Sequence, residues 1–245
     1  PNTPWYLGPT LMGRLETIEI QRHQMSKPAF PVQWVNRPHD GFRGYSGTLV
    51  AGVLGVGDTL RVTASGQTAV ITQILNPDRE VQQAQTGDAL TLVLDRELDA
   101  SRGDVFTLAE QPLEMTDQFE ATLVWMSDKP GLMGRTYELK LANQWTSANI
   151  TKLKHRVNVN NQNQESCKQM ELNDIVVANL TLSRPLVFTP YDESMEMGGF
   201  VLVDKFTHAT VAAGMIRHNL RRAQNVHKQA LTIRREDRER LNGHR

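Results

Sequence analysis

Short segments in which apolar and polar residues alternate fill most of Val32–Ile216, and turn-forming residues separate them. In residues 58–64, for example, Leu60, Val62 and Ala64 fall on one face of a strand and the intervening residues on the other. This alternation has the period of a half-buried β-strand. Because no helical periodicity separates the segments, we expect them to pair with one another in a closed barrel or a sandwich.

The first group of predicted strands begins around Val32 and Trp34 and stops before Glu110-Gln111-Pro112, which has the character of a domain boundary. Turn signals rich in Gly, Asn, Pro and Asp lie between the strands. We therefore predict a first antiparallel β-barrel over residues 26–112. Its further strands are predicted at Thr48–Val53, Asp58–Ala64, Val70–Leu75, Ala89–Leu94 and Val105–Leu108.

A second group of strands has the same character, and we assign it to a second β-barrel over residues 113–216. In its first strand, Phe119, Ala121, Leu123 and Trp125 alternate with polar or smaller residues. The fold class predicted for the chain is therefore all-β, with two consecutive antiparallel barrels. The strands of the second barrel are predicted at Gln118–Trp125, Tyr137–Leu141, around Val157 and Val159, and at Asp174–Leu182, Phe200–Val203 and Thr207–Ile216.

Short helices are predicted at both ends of the chain. Apolar residues at helical spacing indicate a helix from Thr10, its N-cap, to about Gln21, followed by a linker over residues 26–31. A second helix is predicted over residues 225–242, in a tail that is basic from Arg217 onward. A charge run on a helix is more often a solvated face or a connector than a nucleic-acid site.

Charge and cysteine content narrow the classes of partner. Lys+Arg and Asp+Glu are both 27, so the net charge is zero and a dedicated nucleic-acid surface is not expected.

Cys167 is the only cysteine, which excludes an intrachain disulfide and fits a reducing cytoplasm. No apolar run reaches membrane-spanning length. Because the chain opens on Pro1, we expect it to be cut from a longer protein.

Motifs for catalysis, cofactor binding and metal binding are missing from the sequence. None of the eight lysines follows a glycine, so G-x-x-x-x-G-K-[ST], which cradles phosphates, does not occur. Asp128-Lys129-Pro130-Gly131 matches the short D-x-x-G pattern, which we interpret as a turn. The seven histidines and Cys167 show no metal-ligand or nucleophile spacing. We therefore predict no catalytic, cofactor-binding or metal-binding residue.

Two loops are candidates for partner contact. In residues 36–44, arginine and histidine stand beside aromatic residues, a combination that suits a protein interface or stacking on a base, although a solvated hairpin loop is equally compatible. The residues in question are Trp34, Arg37, His39, Phe42 and Arg43. The acidic loop Pro190–Gly199, with two methionines, is predicted to be an exposed mobile loop or a second contact.

Several longer segments together resemble one family. Residues 4–16 resemble the last helix of the GTP-binding domain of elongation-factor-like GTPases. Residues 30–38, 42–48, 56–60 and 92–104 resemble the second domain of the GTPase subunit of heterodimeric ATP sulfurylase (sulfate adenylyltransferase subunit 1). Four segments resemble the third domain of that subunit: Val124-Trp-Met126, Val157–Asn161, Gly198–Asp204 and Thr210–Met215. Residues 222–230 and 234–245 resemble the lead-in helix of a fused adenylyl-sulfate kinase.

This resemblance implies a GTPase subunit that drives adenylyl sulfate synthesis from ATP and sulfate, in a parent fused to the kinase. Residues 1–25 would hold the remnant of the GTP-binding domain's last helix and a linker, and residues 217–245 the lead to the kinase. GTP, ATP and Mg²⁺ are implied for the parent, with the catalytic subunit, the GTP-binding domain and the kinase domain as partners. The family's nucleotide motifs have no counterpart here, so we expect the chain alone to be inactive.

An alternative function of a different class remains open. The same barrels could form an RNA-binding module of a translation-factor-like GTPase, because function resides in sites on a fold and not in the fold itself. The zero net charge and the kinase-like tail count against it.

Overall fold

The first barrel is built from short strands. The computed structural model describes residues 5–18, 27–39, 41–77 and 79–220, and the statements below concern those residues. The strands of the first group are β1 (Phe30–Asn36), β2 (Gly44–Thr48), β3 (Val53–Gly55), β4 (Thr59–Val62), β5 (Thr68–Leu75), β6 (Glu80–Val81), β7 (Gln83–Gln85), β8 (Ala89–Leu94) and β9 (Val105–Leu108).

Six of these strands close on themselves. Their order is β4-β9-β1-β2-β8-β5, every described pairing is antiparallel, and β5 pairs back with β4. Phe30, Tyr45 and Phe106 fill the interior, with the Tyr45 and Phe106 ring centroids 5.1 Å apart in an edge-on arrangement. The predicted first barrel is confirmed, and closure leaves its six strands without a free edge.

The second barrel uses longer strands with the same plan. Its elements are β10 (Glu114–Trp125), β11 (Gly131–Leu132), β12 (Thr136–Leu141), β13 (Gln144–Val157), β14 (Gln164–Glu165), β15 (Gln169–Met170), β16 (Ile175–Phe188), α2 (Met195–Gly198), β17 (Gly199–Val203) and β18 (Thr210–Asn219).

Antiparallel pairing in the order β12-β17-β18-β10-β16-β13, with β13 back to β12, closes the second barrel. The predicted inward face of β10 is confirmed, because Phe119, Ala121, Leu123 and Trp125 are all buried in the core. Tyr137 packs edge-on against Trp125 at 5.7 Å between ring centroids.

Three predicted strands are placed differently. The segment Thr48–Val53 is not one strand: β2 ends at Thr48, and the chain turns at Gly52 (φ +74°) before β3. A Cβ at Gly52 would lie 2.7 Å from Pro28, so this turn depends on the missing side chain. The prediction of one strand here was wrong because the alternation continues through a backbone turn.

The strand predicted at Asp58–Ala64 ends early, at Val62. Leu60 and Val62 are buried as predicted, but Ala64 is exposed and Thr63 is buried, donating its hydroxyl hydrogen to the Val105 carbonyl over 3.0 Å. A turn beginning at Thr63 breaks the alternation. Val159, predicted to lie in a strand, is also exposed, in a turn that follows the end of β13 at Val157.

The acidic loop Pro190–Gly199 is only partly exposed, because some of its residues pack against the barrels. Ser194 caps α2 by accepting a hydrogen bond from the Met197 backbone N–H, and Met197 itself is fully buried. Met195 remains exposed. The cap and the buried methionine attach this acidic segment to the barrels.

An apolar cluster joins the two barrels. Ala29, Ala51 and Val105 of the first barrel pack with Leu113 of the connection and with Val187 and Met197 of the second, all at most 8% exposed. Gly103 approaches the second barrel so closely that a Cβ would lie 3.0 Å from the Asn143 carbonyl oxygen. The barrels therefore share a buried contact besides the chain connection.

The predicted N-terminal helix is shorter than expected. Helix α1 spans Leu11–Thr17, and Thr10 is confirmed as its N-cap, with its hydroxyl oxygen accepting from the Gly13 N–H over 3.1 Å. Ile18 is already extended. None of the helical residues is buried, so no packing extends the helix. The second predicted helix, over 225–242, lies outside the described residues, as do the last predicted residues of the first helix, 19–21, and Ser26 at the start of the predicted linker.

Candidate partner-binding surface

The β1–β2 hairpin carries the candidate partner-contact residues, with Trp34 in β1 and the other four in the loop. Asn36 pairs with Gly44, so the loop closes an antiparallel hairpin. A register shift between Val32 and Trp34 marks a bulge in β1, and both Gln33 and Trp34 face outward there. The bulge thereby leaves the Trp34 side chain 61% exposed.

Arg37 and Arg43 converge on one carboxylate. Both guanidinium groups pair with Oε2 of Glu97, Arg43 through Nη1 at 3.1 Å. Glu97 lies in the connection from β8 to β9, more than fifty residues further along the chain. Sequence reasoning did not predict Glu97 as a member of this cluster, because nothing in its local pattern points to the hairpin.

Arg43 is held more firmly than Arg37. Its guanidinium lies over the Tyr45 ring, 5.3 Å from the centroid, and its Nη2 donates to the Ala100 carbonyl oxygen over 3.4 Å. The Tyr45 hydroxyl is itself fixed, donating to the Leu98 carbonyl over 2.8 Å. Arg43 therefore links the hairpin to the barrel wall, whereas the Arg37 side chain is exposed to solvent.

His39 and Phe42 pack against each other within the loop. Their ring centroids are 5.9 Å apart with the planes tilted by 50°. The Phe42 ring also covers Gly44, where an added Cβ would lie 3.0 Å from it. His39 is exposed and Phe42 half-buried. The structure therefore brings all five predicted residues into one hairpin, with Trp34, Arg37 and His39 facing outward.

The D-x-x-G segment forms a bend at the end of β10, as predicted. Trp125 Nε1 donates to the Lys129 carbonyl oxygen over 2.8 Å, which fixes the bend to the barrel. Beside it, Arg135 pairs with Asp204 in a cleft at this end of the barrel. Backbone hydrogen bonds from Thr207 and Phe206 hold the pKa of Asp204 below its ordinary value.

A buried carboxylate on the wall of the second barrel gathers several cations. Glu120 pairs with Lys154 and lies 3.4 Å from Arg217 Nη1 and 3.8 Å from His218 Nε2. Burial opposes its ionisation, but the hydrogen bond from Lys154 and the neighbouring charges leave the pKa of Glu120 below its ordinary value. These contacts tie strands β10, β13 and β18 together.

Cys167 and the D-x-x-G bend are the remaining sites considered from the sequence. Burial raises the pKa of the Cys167 thiol. Within the described ranges, no group of three or more His, Cys, Asp or Glu side chains could hold a metal ion. Residues 1–128 contain no G-x-x-x-x-G-K-[ST] loop, so this segment supplies no phosphate cradle beside the D-x-x-G bend. No helix in the described part is long and apolar enough to cross a membrane.

A solved structure and a family model match this fold. A crystal structure of sup35 complexed with GDP superposes with a TM-score of 0.74 at 21% identity, over 89% of this chain and 54% of that one. Residues 118–217 match the family described as GTP-eEF1A C-terminal domain-like. The chain therefore has the two-barrel fold of the sup35 structure, and its second barrel resembles that family.

Three bacterial proteins are more similar in sequence. The bifunctional enzyme NodQ of Azospirillum brasilense is 44% identical over 94% of this chain, and the bifunctional enzyme CysN/CysC of Xylella fastidiosa 40% over 98%. Sulfate adenylyltransferase subunit 1 of Cronobacter sakazakii is 39% identical over 93%. The chain is a homologue of these proteins, and it spans 37%, 38% and 48% of their respective lengths.

Proposed function

We propose that this chain is the barrel portion of the GTPase subunit of a sulfate adenylyltransferase, in a parent that also carries adenylyl-sulfate kinase. The observation that carries the proposal is the 40% identity to CysN/CysC across 98% of the chain. The parent would use GTP, ATP and Mg²⁺, and would raise the synthesis of adenylyl sulfate by a separate catalytic subunit. It would act in the cytoplasm, where ATP and sulfate are available.

Within that parent, the barrels position other components. Rigid bodies of this kind can dock a partner and change orientation relative to a GTP-binding domain when its switch loops order and disorder. The apolar cluster that joins Ala29, Val105 and Met197 supports this role, because it couples the two barrels. In this proposal the assembled parent protein and its catalytic subunit carry out catalysis, and the two barrels hold the other components in position.

The exposed face of the β1–β2 hairpin is our candidate for the contact with the catalytic subunit or the GTP-binding domain. Trp34 offers a large ring for burial, and Arg37 offers a guanidinium oriented by Glu97. Electrostatic contacts of this sort act mainly on the association rate.

Association with a purified catalytic subunit tests this assignment. Replacing Trp34 and Arg37 by Ala should weaken binding roughly tenfold or more, and the loss of Arg37 should reduce the salt dependence of the association rate. The variant Lys205→Ala, on the second barrel, serves as the control. Unchanged affinity in the Trp34/Arg37 variant would remove the hairpin from the interface without affecting the assignment of the chain.

The isolated chain should not turn over GTP. The reason is the missing phosphate loop in residues 1–245. Phosphate release from GTP by purified chain, above a protein-free blank and abolished when the chain is removed by an affinity tag, would refute this expectation.

A further inference from the structure

The end of the second barrel that lies away from the first barrel has an unusual surface. The cluster between the barrels includes Leu113, just before β10, whereas Trp125 ends that strand twelve residues later. At about 3.3 Å per residue, the two ends of β10 lie roughly 35 Å apart. The connection after β10 and the hairpin between β17 and β18 meet at the Trp125 end, and we refer to this end as the distal face.

A rigid knob projects from the distal face. Phe206, on the β17–β18 hairpin, is 87% exposed. Asp204 Oδ1 accepts hydrogen bonds from the Phe206 and Thr207 N–H groups, each over 3.0 Å, and Arg135 pairs with the other carboxylate oxygen. The turn is therefore held in place, and a partner that buries Phe206 need not order it first.

A cleft of about 260 Å³ lies directly beside the knob. Trp125 and Tyr137 contribute its aromatic lining, and Pro130 and Thr207 contribute to its walls. The hydrogen bond from Trp125 to the Lys129 carbonyl and the edge-on Tyr137 ring keep the lining fixed. A cleft of this size can take a phenyl ring.

The distal face carries both acidic and basic side chains. Arg135 and Asp204 neutralise each other, and within the described ranges neither Asp128 nor Lys129 has a side-chain ion pair. Half-exposed apolar side chains border the same region: Met126, Leu132 and Met133 are 44%, 46% and 50% exposed. An apolar surface with no net charge does not select a strongly acidic or basic partner.

We propose that the distal face binds a second copy of this chain in a two-fold arrangement. Phe206 of each copy enters the cleft of the other, and Lys129 of each copy meets Asp128 of the other. A two-fold interface requires one patch to be complementary to itself, and here the knob adjoins the cleft and the free cation adjoins the free anion. The interface is small, so the dimer is expected to be weak and dependent on concentration.

Sedimentation velocity of the 245-residue chain, from about 1 to about 200 µM, tests the proposal. We expect a monomer–dimer equilibrium whose Kd rises at least tenfold in Phe206→Ala. The control Leu7→Ala removes an apolar side chain that is 96% exposed and lies far from Phe206 along the chain, and it should leave the Kd unchanged. Because Phe206 is exposed, its replacement should leave the thermal unfolding curve unaltered.

A charge exchange makes the test specific to the two-fold pairing. Asp128→Lys and Lys129→Asp should each weaken the dimer, because like charges then face each other across the axis, and the double variant should restore it. Three results would overturn the proposal. The wild-type chain stays monomeric at every concentration, the Kd of the dimer does not change in Phe206→Ala, or the double variant dimerises no more tightly than either single variant. None of these outcomes bears on the assignment to sulfate adenylyltransferase.

Discussion

Gly214 on β18 shows how a single missing side chain shapes the second barrel. It pairs with Phe200 on β17, and a Cβ at this position would overlap the Phe200 ring. Gly214→Ala forces the ring or the strand to move, so we expect it to lower the free energy of unfolding by about 1–3 kcal/mol. Urea titration measures the loss.

Gly55→Ala is the matched control for that experiment. Gly55 also lies in a strand, β3, but its nearest neighbour to an added Cβ is 3.7 Å away. We expect a change within about 0.5 kcal/mol there. Equal effects at the two glycines would contradict the packing of Phe200 over Gly214.

Glu120 should contribute to the acid sensitivity of the fold. Its folded-state pKa lies below the unfolded value of 4.5. The stabilisation is therefore complete above that value and is lost as the pH falls through the lower, folded-state pKa. Glu120→Gln should be less stable than wild type at pH 7, by about 1–3 kcal/mol, and the difference should shrink in acid.

Chemical denaturation of wild type and variant between pH 7 and about pH 3 measures this convergence. Glu110→Gln is the control, because Glu110 is exposed and makes no ion pair in the described part of the chain. A stability difference for Glu120→Gln that stays constant with pH would show that the carboxylate charge has no role.

Sequence reasoning found the residues of the candidate surface but not the contacts that orient them. Trp34, Arg37 and Arg43 are conspicuous in a short loop, yet Glu97 reaches them only because β8 pairs with β2. The same holds for Asp204, which meets Arg135 across 69 residues of chain. Pairings of this range depend on strand order, which local patterns do not encode.

At the scale of elements, one turn design recurs four times. In each, a residue with positive φ precedes an aspartate whose carboxylate accepts a hydrogen bond from the backbone N–H three residues earlier, over 2.7–2.8 Å. The turns cover residues 55–58, 85–88, 101–104 and 171–174. Three use Gly before the Asp and the fourth uses Asn173, the residue types that tolerate positive φ best.

Asp88→Ala should destabilise the first barrel by about 1 kcal/mol, because the Gln85 N–H loses its partner at a 2.8 Å hydrogen bond. Thermal unfolding followed by circular dichroism measures the effect. Asp99→Ala, in the same barrel, removes an exposed carboxylate that accepts no hydrogen bond within the described ranges, and should leave the midpoint unchanged. If both variants behave alike, the turn hydrogen bond does not matter.

Two of the four strands that follow such turns were predicted accurately. Ala89–Leu94 and Val105–Leu108 were predicted with their observed bounds, because Gly-Asp turns precede both. By contrast, β13 runs from Gln144 to Val157, and only its end was recognised. Many of its outward residues are polar, and two register shifts against β16 interrupt the alternation.

At the scale of the whole molecule, the apolar cluster between the barrels should make them unfold together. Met197→Ala removes a fully buried side chain from this cluster, so we expect the single calorimetric transition of the wild type to broaden or split in two. Met195→Ala alters the exposed methionine of the same short helix and should retain one transition. Two transitions already in the wild type would show that the barrels are thermodynamically independent.

The all-β class and the two-barrel organisation followed from alternation and turn spacing, whereas the docking of the barrels did not. Docking depends on Ala29, Ala51 and Val105, which look like ordinary strand or linker residues in the sequence. The sequence of the acidic loop also did not indicate that Met197 packs into this contact. Small apolar residues acquire such a role only once strand order brings them to one end of a barrel.

The most direct test of the account replaces the barrels of a relative. In sulfate adenylyltransferase subunit 1 of Cronobacter sakazakii, the matching region, 39% identical over 229 residues, is exchanged for this chain, and the same exchange is made with the sup35 barrels, which share the fold at 21% identity. GTP-dependent formation of adenylyl sulfate is then measured with the catalytic subunit present. We expect activity with this chain and none with the sup35 barrels. A chimera with this chain that folds and binds GTP but makes no adenylyl sulfate would contradict it.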